Sequence, residues 1–339
     1  MKLLIRSTNW VGDAIMALPA LRAVRRRFPD AEITILAKPY VAAIYNNQEV
    51  CDNYIHMDTS ADLASELRAR KFDKALLLQN AFHAAWLAWR AGISERIGYA
   101  RDGRGLLLTK SVRTPRLGEI PAHEQYYYLE LLRRAGWIEE IAGEEHIQLR
   151  VPVEDRRRAA AFLESAGSHS NKLRIAVGAG ALYGSAKCWP PERFAVLCNH
   201  LDALGNADII LFGTSAEAPV SAAILNAMRR PPIDLTGKTA IADLPAVLSQ
   251  CQLFIGNDSG AMHIAAAVGL PVVAIFGPTD PFGTAPVTPS RTIVQEKPYC
   301  SPCFLRRCPT DHRCMTQITP GAVESAALHW IKSAEVRPA

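Results

Sequence analysis

The sequence contains no apolar run long enough to span a lipid bilayer. Its longest run, 264–276, is short and is interrupted by Gly269 and Pro271. The opening residues, 1–6, are too few for the core of a secretory signal, and no small-residue cleavage site follows them. With 49% hydrophobic and 21% charged residues, the composition also excludes a disordered or collagen-like chain. We therefore expect a globular protein of the cytoplasm.

A glycine-rich dinucleotide signature is also missing. The first predicted strand, Lys2 to Arg6, leads through a loop with Gly12 into a helix predicted from about Ala14 to Phe28, an order typical of a Rossmann-type domain. Because the loop lacks the G-x-G-x-x-G pattern, it predicts no dinucleotide site. It does place Asp13 at the start of the helix, where the helix dipole stabilises an ionised carboxylate.

Predicted strands alternate with predicted helices along both halves of the chain. In the first half the later strands are 32–37, 54–58, 74–79 and 96–99, and the later helices are 41–46, 61–70, a segment after Asn80, and 123–135. In the second half the strands are 174–177 and 208–212, the helices are 191–204, 217–228 and 244–250, and a strand–helix–strand unit runs from 253 to 277. Such alternation predicts parallel sheets covered by helices on both faces.

The length of 339 residues suits two domains. Polar connections at 151–155 and 165–172 indicate a boundary between them. We predict an α/β protein with two Rossmann-like domains facing each other across a cleft, an N-terminal domain of residues 1–155 and a C-terminal domain of residues 156–339.

The strand–helix–strand unit at 253–277 predicts an anion site. Its polar turn, Asn257 to Ser259, falls where a strand ends and a helix begins, so free backbone N–H groups and the positive end of the helix dipole can meet a diphosphate. Ser259 is a credible N-cap, Gly260 lets a ligand approach the backbone, and His263 shares a helix face with Ser259. In the alternative interpretation these residues only cap a helix and His263 is a surface histidine.

A second polar loop follows the predicted strand 174–177. It contains Gly184, Ser185 and Lys187 and ends at the stiff sequence Trp189-Pro190-Pro191. A lysine in a Gly/Ser loop beyond the carboxyl end of a strand is a natural partner for phosphate oxygens. We favour this role over that of an ordinary solvent-exposed lysine because both polar loops are predicted to follow strands of one sheet.

The eight cysteines form two groups. Four are scattered and are most simply reduced thiols. The other four, with the spacing C-x2-C-x4-C-x5-C, are Cys300, Cys303, Cys308 and Cys314. They are candidates for a small structural zinc site, with His312 as a possible substitute ligand, or for a redox-sensitive staple. Plain reduced cysteines are the alternative.

The net charge of +5 is modest, but the basic residues occur in clusters. These are Arg22 with Arg25, Arg26 and Arg27, then Arg101 with Arg104, and Arg113 with Arg116. Such clusters suit an acidic partner, whether a phosphorylated glycolipid, an anionic membrane surface or nucleic acid. The first cluster is also explained as the solvated face of a helix.

Four motifs carry a resemblance to a known family. They are Asn9-Trp10-Val11-Gly12-Asp13, Gln79-Asn80-Ala81-Phe82, Gly184-Ser185-Ala186-Lys187-Cys188-Trp189-Pro190 and Asn257-Asp258-Ser259-Gly260-Ala261-Met262-His263. In this order they resemble the bacterial ADP-heptose:lipopolysaccharide heptosyltransferases of glycosyltransferase family 9, most closely the heptosyltransferase II subgroup. The resemblance covers nearly the whole chain. It implies a GT-B-type fold and an inverting sugar transfer that needs no metal.

The resemblance also implies substrates and site residues. The donor would be ADP-L-glycero-D-manno-heptose, held mainly by the C-terminal domain, and the acceptor would be a heptose already on the lipopolysaccharide inner core, approaching the N-terminal domain. Asp13 would be the general base and Lys187 would bind the diphosphate. The other donor-binding residues would be Asp258, Ser259, Gly260 and His263. Ser185, in the same loop as Lys187, is a further donor-binding candidate.

The chemistry of an inverting transfer agrees with these roles. A single displacement needs one base for the acceptor hydroxyl and stabilisation of the departing diphosphate, which Lys187 and helix amides can supply. Glu217, after the strand 208–212, is placed to bind ribose hydroxyls, although a glutamate at a helix start equally complements the dipole. Asn80, Arg101 and Arg104 are acceptor-binding candidates because they lie in loops of the N-terminal domain.

Other functions stay open at this point. Another nucleotide-sugar glycosyltransferase or a sugar 2-epimerase would use the same fold. A non-catalytic nucleotide-sugar or glycolipid binding protein would keep the fold without the chemistry, and the presence of both Asp13 and Lys187 argues against it. We expect a monomer that contacts the cytoplasmic face of the inner membrane through basic patches and binds no nucleic acid.

Overall fold

The computed structural model describes residues 1–57 and 62–335. The chain divides into two compact units, Met1–Ile147 and Gln148–Ala339, and in its described part each unit contains a six-stranded parallel sheet. The fold is therefore α/β, as predicted. The division that we predicted after residue 155 falls within a helix, Val153–Ser165. This helix escaped prediction because it buries only Ala159 and Leu163, an apolar stripe too narrow to stand out in the sequence.

The first unit is built around a sheet with the strand order β3-β2-β1-β4-β5-β6. Its strands are β1 (Lys2–Arg6), β2 (Glu32–Ala37), β3 (Asn53–His56), β4 (Lys74–Leu77), β5 (Glu95–Tyr99) and β6 (Lys110–Val112). Its α-helices are α1 (Val11–Met16), α2 (Leu18–Arg27), α3 (Pro39–Ala42), α4 (Leu63–Arg70), α5 (Phe82–Arg90) and α6 (Glu124–Arg134), with 3₁₀ turns at Ala43–Tyr45 and Arg104–Leu107.

The helix predicted from 14 to 28 is two helices, α1 and α2, which meet at Ala17. Pro19 lies in the first turn of α2, where its missing N–H costs no hydrogen bond; inside one continuous helix it would remove one. The start of α1 at Val11 places Asp13 in its first turn. Two predicted ends, Asp58 of the strand 54–58 and Ala61 of the helix 61–70, lie outside the described residues.

The second unit has the strand order β12-β11-β10-β7-β8-β9. Its strands are β7 (Leu173–Gly178), β8 (Ala207–Phe212), β9 (Ile233–Asp234), β10 (Leu253–Asn257), β11 (Val272–Phe276) and β12 (Arg291–Gln295). Its α-helices are α7 (Val153–Ser165), α8 (Pro191–Asp202), α9 (Ala218–Ala227), α10 (Leu244–Leu248), α11 (Gly260–Ala267), α12 (Pro281–Thr284), α13 (Arg313–Thr316) and α14 (Pro320–Glu335), with 3₁₀ turns at Ser185–Lys187 and Ser215–Glu217.

Several short elements, among them β6, β9, β12 and α12, were not predicted. The long helix α14 was also missed, although Val323, Ala327 and Ile331 recur at the spacing of one buried helix face. No helix in the described ranges is both long and apolar enough to cross a membrane.

Each sheet has a topological switch point, where neighbouring strands connect in opposite directions. It lies between β1 and β4 in the first unit and between β7 and β10 in the second. In open α/β sheets the crevice beyond the carboxyl ends of such strands is the usual ligand site. Asp13 and Asn80 follow β1 and β4, whereas Lys187 and Asp258 follow β7 and β10. The strand order thus brings the predicted residues of each unit to one edge of its sheet.

Candidate functional site

Lys187 and Asp258 form an ion pair at the switch point of the second sheet. The Nζ atom of Lys187 lies 2.5 Å from Oδ2 of Asp258, and the hydroxyl of Thr279 donates to the same oxygen at 2.7 Å. The two charged side chains are only 12% and 5% exposed. Lys187 is therefore not the solvent-exposed lysine of the alternative interpretation. Thr279 was missed by the sequence reasoning because it lies beyond the next strand and belongs to no recognised motif.

The loops that carry this pair are joined by Asn257, which is fully buried. Its Nδ2 donates to the carbonyl oxygen of Ala179 (2.6 Å), and its Oδ1 accepts from the backbone N–H of Trp189 (3.0 Å). Because the side chain binds both ends of the loop after β7, it holds that loop against the end of β10. The sequence analysis places Asn257 in the polar turn of the anion site, with a capping role as the alternative, and does not predict this bridging role; its place at the end of an otherwise apolar strand was the available signal.

The helix α11 begins at the same edge. The Ser259 hydroxyl accepts from the N–H of Met262 (3.4 Å), so Ser259 caps the helix as predicted. Gly260, the first residue of α11, is half-buried and lies at the positive end of the helix dipole. His263 is 4% exposed and is therefore not a surface histidine. Together with the Lys187 ammonium, this amino end is suited to an anionic ligand.

Glu217 lies at the carboxyl ends of β7 and β8. Its Oε2 accepts from the N–H and the hydroxyl of Thr214, at 2.7 and 2.9 Å, in a capping box. Its Oε1 points at Gly180, where an added Cβ would come within 1.9 Å of this oxygen. The absence of a side chain at Gly180 therefore leaves space for the carboxylate. Glu217 has the predicted role at a helix start, and it lies beside the loop that carries Lys187. Ser185 lies in that loop, within the 3₁₀ turn Ser185–Lys187.

In the first unit, Asp13 lies among buried aromatic side chains and a second carboxyl group. Burial raises the pKa of Tyr45 and Tyr128 above the usual range, and the nearby charge of Asp13 adds to this effect. Burial and then the charge of Asp13 raise the pKa of Glu124, the first residue of α6, to about 7, against an opposing effect of Arg101. Glu124 was not predicted, since proximity to Asp13 depends on the packing of α6 beside α1.

Arg6 contacts the loop that precedes Asp13. This side chain at the end of β1 is 4% exposed, and its Nη2 donates to Oδ1 of Asn9 at 2.7 Å. The hydroxyl of Tyr40 donates to the carbonyl oxygen of Asn9 at 2.8 Å. Asn9, part of the first motif, is therefore held from two sides, which fixes the loop before Asp13.

The three acceptor-binding candidates have different environments. The Asn80 amide donates to the hydroxyl of Tyr127 at 2.9 Å, and Arg101, whose side chain is 59% exposed, is another neighbour of Tyr127. Arg104 is fully buried. Its guanidinium donates to Oδ1 of Asn80 (3.0 Å), to the carbonyl oxygen of Tyr99 (2.9 Å) and to the carbonyl oxygen of Gln79. Arg104 thus holds Asn80 in place and offers no surface to a ligand itself.

The clustered cysteines form no arrangement suited to a metal. Within residues 1–57 and 62–335, no group of three or more His, Cys, Asp or Glu side chains could hold a metal ion, so the predicted zinc site is not supported. Cys300 is exposed and Cys314 is buried. Burial, and then the neighbouring thiols Cys303, Cys300 and Cys308, raise the pKa of Cys314 to about 11. The four thiols are thus near one another, with Cys314 beneath the surface.

Comparison with known proteins identifies the family of this chain. The family model "Glycosyltransferase family 9 (heptosyltransferase)" matches residues 60–313, a range that contains the donor-side candidates and starts after Asp13. Lipooligosaccharide heptosyltransferase 2 of Haemophilus influenzae is 28% identical over 317 residues, which cover 87% of this chain and 88% of the relative.

Solved structures of similar proteins share the architecture. The Escherichia coli ADP-heptose lps heptosyltransferase II has a TM-score of 0.84 at 25% identity, covering 99% of this chain and 100% of that one. The E. coli heptosyltransferase WaaC with ADP has a TM-score of 0.68 at 18% identity, covering 98% of this chain and 99% of that one, and shares the fold. The two-sheet α/β architecture is thus that of GT-B heptosyltransferases.

Proposed function

This chain belongs to glycosyltransferase family 9, the heptosyltransferase family, and we propose that it transfers L-glycero-D-manno-heptose from ADP-heptose to the heptose of the lipopolysaccharide inner core. One observation supports this proposal above the others: a nearly buried lysine, Lys187, and the amino end of α11 share the switch point of the second sheet. Lipopolysaccharide and lipooligosaccharide heptosyltransferases are also among the relatives that match over most of the chain.

The donor's diphosphate is bound by Lys187, Ser185 and the first amides of α11. Lys187 is the mobile partner: its ammonium turns from Asp258 toward the phosphate oxygens, which carry more charge. A carboxylate repels a diphosphate, so Asp258 accepts hydrogen bonds from the heptose hydroxyls. Ser259, Gly260 and His263 complete the donor site, and Glu217 binds the ribose hydroxyls through the carboxylate oxygen beside Gly180.

Asp13 is the general base of the transfer. Its carboxylate removes the proton from the acceptor hydroxyl while that oxygen forms a bond to the anomeric carbon of the heptose. The bond from the anomeric carbon to the diphosphate breaks, and ADP leaves with the electron pair. Lys187 and the helix amides stabilise the charge that develops on the leaving group, without a metal. One displacement inverts the anomeric configuration.

The acceptor binds at the carboxyl edge of the first sheet. Asn80 and Arg101 contact its hydroxyl and phosphate groups, and Arg104 positions Asn80. Exposed large apolar side chains occur soon after several strands of this sheet, among them Trp10, Tyr40, Phe82, Leu106 and Leu117. Because parallel strands end at one edge, we infer that these side chains contribute an apolar rim to that edge, which would suit an anionic glycolipid in a membrane surface.

The decisive assay measures ADP release from ADP-L-glycero-D-manno-heptose, with and without lipopolysaccharide core bearing a single heptose, in the presence of a chelator. The proposal requires acceptor-dependent release that survives chelation and is lost in Lys187→Ala. Release without any acceptor would favour the epimerase alternative. Release only with heptose-free core would make this the enzyme that adds the first heptose, and ADP binding without any release would indicate a non-catalytic protein.

A further inference from the structure

The residues from Cys300 to Cys314, here called the cysteine segment, pack on the loop that carries Lys187. His312 Nε2 donates to the carbonyl oxygen of Ala186 at 2.7 Å, and the N–H of Ala186 donates to the carbonyl oxygen of Arg306 at 3.1 Å. A carbonyl oxygen only accepts, so the Nε2 atom of His312 carries a proton. Both backbone polar groups of the residue before Lys187 are therefore bound by the cysteine segment.

Further contacts hold the beginning of this loop. The hydroxyl of Tyr183 donates to the carbonyl oxygen of Phe304 at 2.8 Å. Gly184 lies so close to the segment that an added Cβ would be 2.3 Å from the carbonyl oxygen of Arg306. The centroid of the Tyr183 ring in turn lies 4.8 Å from Nζ of Lys187. The loop before Lys187 therefore contacts the cysteine segment through the Tyr183 side chain, at Gly184 and through the backbone of Ala186.

The same segment also holds the loop on the other side of the ion pair. The hydroxyl of Ser301 donates to the carbonyl oxygen of Gly277 at 2.7 Å. The N–H groups of Cys303 and Phe304 donate to the carbonyl oxygen of Pro278, at 3.0 and 2.8 Å. The next residue, Thr279, binds Asp258. The cysteine segment therefore connects the two loops that orient Lys187 and Asp258.

We propose that the cysteine segment is a brace for the donor site and that His312 is a positioning residue for Lys187. This inference rests on the proposed function, in which Lys187 leaves Asp258 to bind the donor's diphosphate. Once that ion pair opens, the position of the ammonium depends strongly on the backbone that carries it, because a lysine side chain has four flexible torsions. The hydrogen bonds to the N–H and the carbonyl oxygen of Ala186 restrict the motion of the backbone next to Lys187. They therefore reduce the conformational entropy that Lys187 loses when it binds the donor.

The test measures ADP affinity by calorimetry for the wild type, His312→Ala and His312→Gln, and for His312→Ala in a Lys187→Ala background. A glutamine side chain returns an N–H donor near the position of Nε2. Because His312 has a positive φ of 57°, alanine and glutamine bear a similar backbone strain there, and their comparison isolates the side chain. Asp311→Asn is the matched control, since Asp311 is exposed, bonds Arg313 and makes no bond to Ala186. Melting temperatures establish that each variant folds.

We expect His312→Ala to weaken ADP binding about tenfold, His312→Gln to restore most of it, and the loss to shrink to about twofold or less without Lys187. Unchanged affinity in His312→Ala, or an equal loss in both backgrounds, would overturn the positioning role. A wild type that binds ADP but transfers no heptose would refute the proposed function while leaving the brace intact. A wild type without ADP affinity would overturn both.

Discussion

Lys187 and Asp258 are 71 residues apart in the sequence and form a nearly buried ion pair whose carboxylate is also bound by Thr279. The pair joins the loops after β7 and β10 at the topological switch point of the second sheet. The desolvation cost of burying two opposite charges is largely offset by their attraction, whereas a single buried charge has no such compensation. The structural role of the pair and its proposed role in donor binding can therefore be tested separately.

Removing the lysine alone should destabilise the protein. Lys187→Met leaves Asp258 buried without its counter-charge and should lower the free energy of unfolding by about 3 kcal/mol. Adding Asp258→Asn removes the isolated charge and should recover part of this loss. Urea unfolding measures both variants, with Lys172→Met, from the more exposed pair with Asp208, as the control. A double variant no more stable than Lys187→Met would contradict the argument.

Asp13→Asn should remove general-base catalysis without disturbing the donor site. The amide has the same shape but does not take the acceptor proton, so kcat should fall by about 10²- to 10⁴-fold. ADP affinity should be unchanged because the nucleotide is proposed to bind the second unit. The exposed Asp30 supplies the control Asp30→Asn. Wild-type turnover in Asp13→Asn would remove Asp13 from this role.

Glu124 should make stability depend on pH. Its pKa is raised from 4.5 to about 7 by burial and by Asp13. Between these pH values the unfolded chain has lost the proton that the folded chain retains, so stability falls as pH rises from about 4.5 to 7. Because Glu124 is half-buried, we expect this contribution to be about 2 kcal/mol, smaller than the full shift would give.

The comparison that isolates this contribution uses Glu124→Gln. Urea unfolding at pH 5 and pH 8 should show a larger drop for the wild type than for this variant, because glutamine does not ionise. Glu139→Gln, at an exposed site, is the control and should behave as the wild type. An equal drop in the wild type and Glu124→Gln would show that the carboxyl group ionises normally.

Arg101 and Arg104 should respond differently to substitution. Arg104→Lys cannot reach its three acceptors at once and should cost about 2 kcal/mol of stability while raising KM for the acceptor through Asn80. Arg101→Gln should raise the same KM with a stability change within about 0.5 kcal/mol, since its side chain is exposed. Steady-state kinetics and urea unfolding separate the two cases. An unaffected acceptor KM in both variants would place acceptor binding elsewhere.

Local sequence patterns predicted much of the fold and some of the site. The strand Glu32–Ala37 has the predicted ends, and the cap at Ser259 was recognised from its small polar side chain before an apolar helix. The sequence analysis groups Arg104 with Arg101 as an acceptor-binding candidate because both lie in a loop of the N-terminal domain. The structure instead buries Arg104, since the carbonyl oxygens of Gln79 and Tyr99 and the Asn80 amide together satisfy its donors.

The sequence by itself determined the alternation of strands and helices, the polar turns that follow the strands, and the motifs that resemble the family. These features depend on hydrophobic period, turn chemistry and capping, which act within a few residues. Only the tertiary structure decided which turns meet, that Thr279 supports Asp258, and that His312 binds the residue before Lys187. Those contacts follow from strand order and the packing of distant segments, for which no local rule exists.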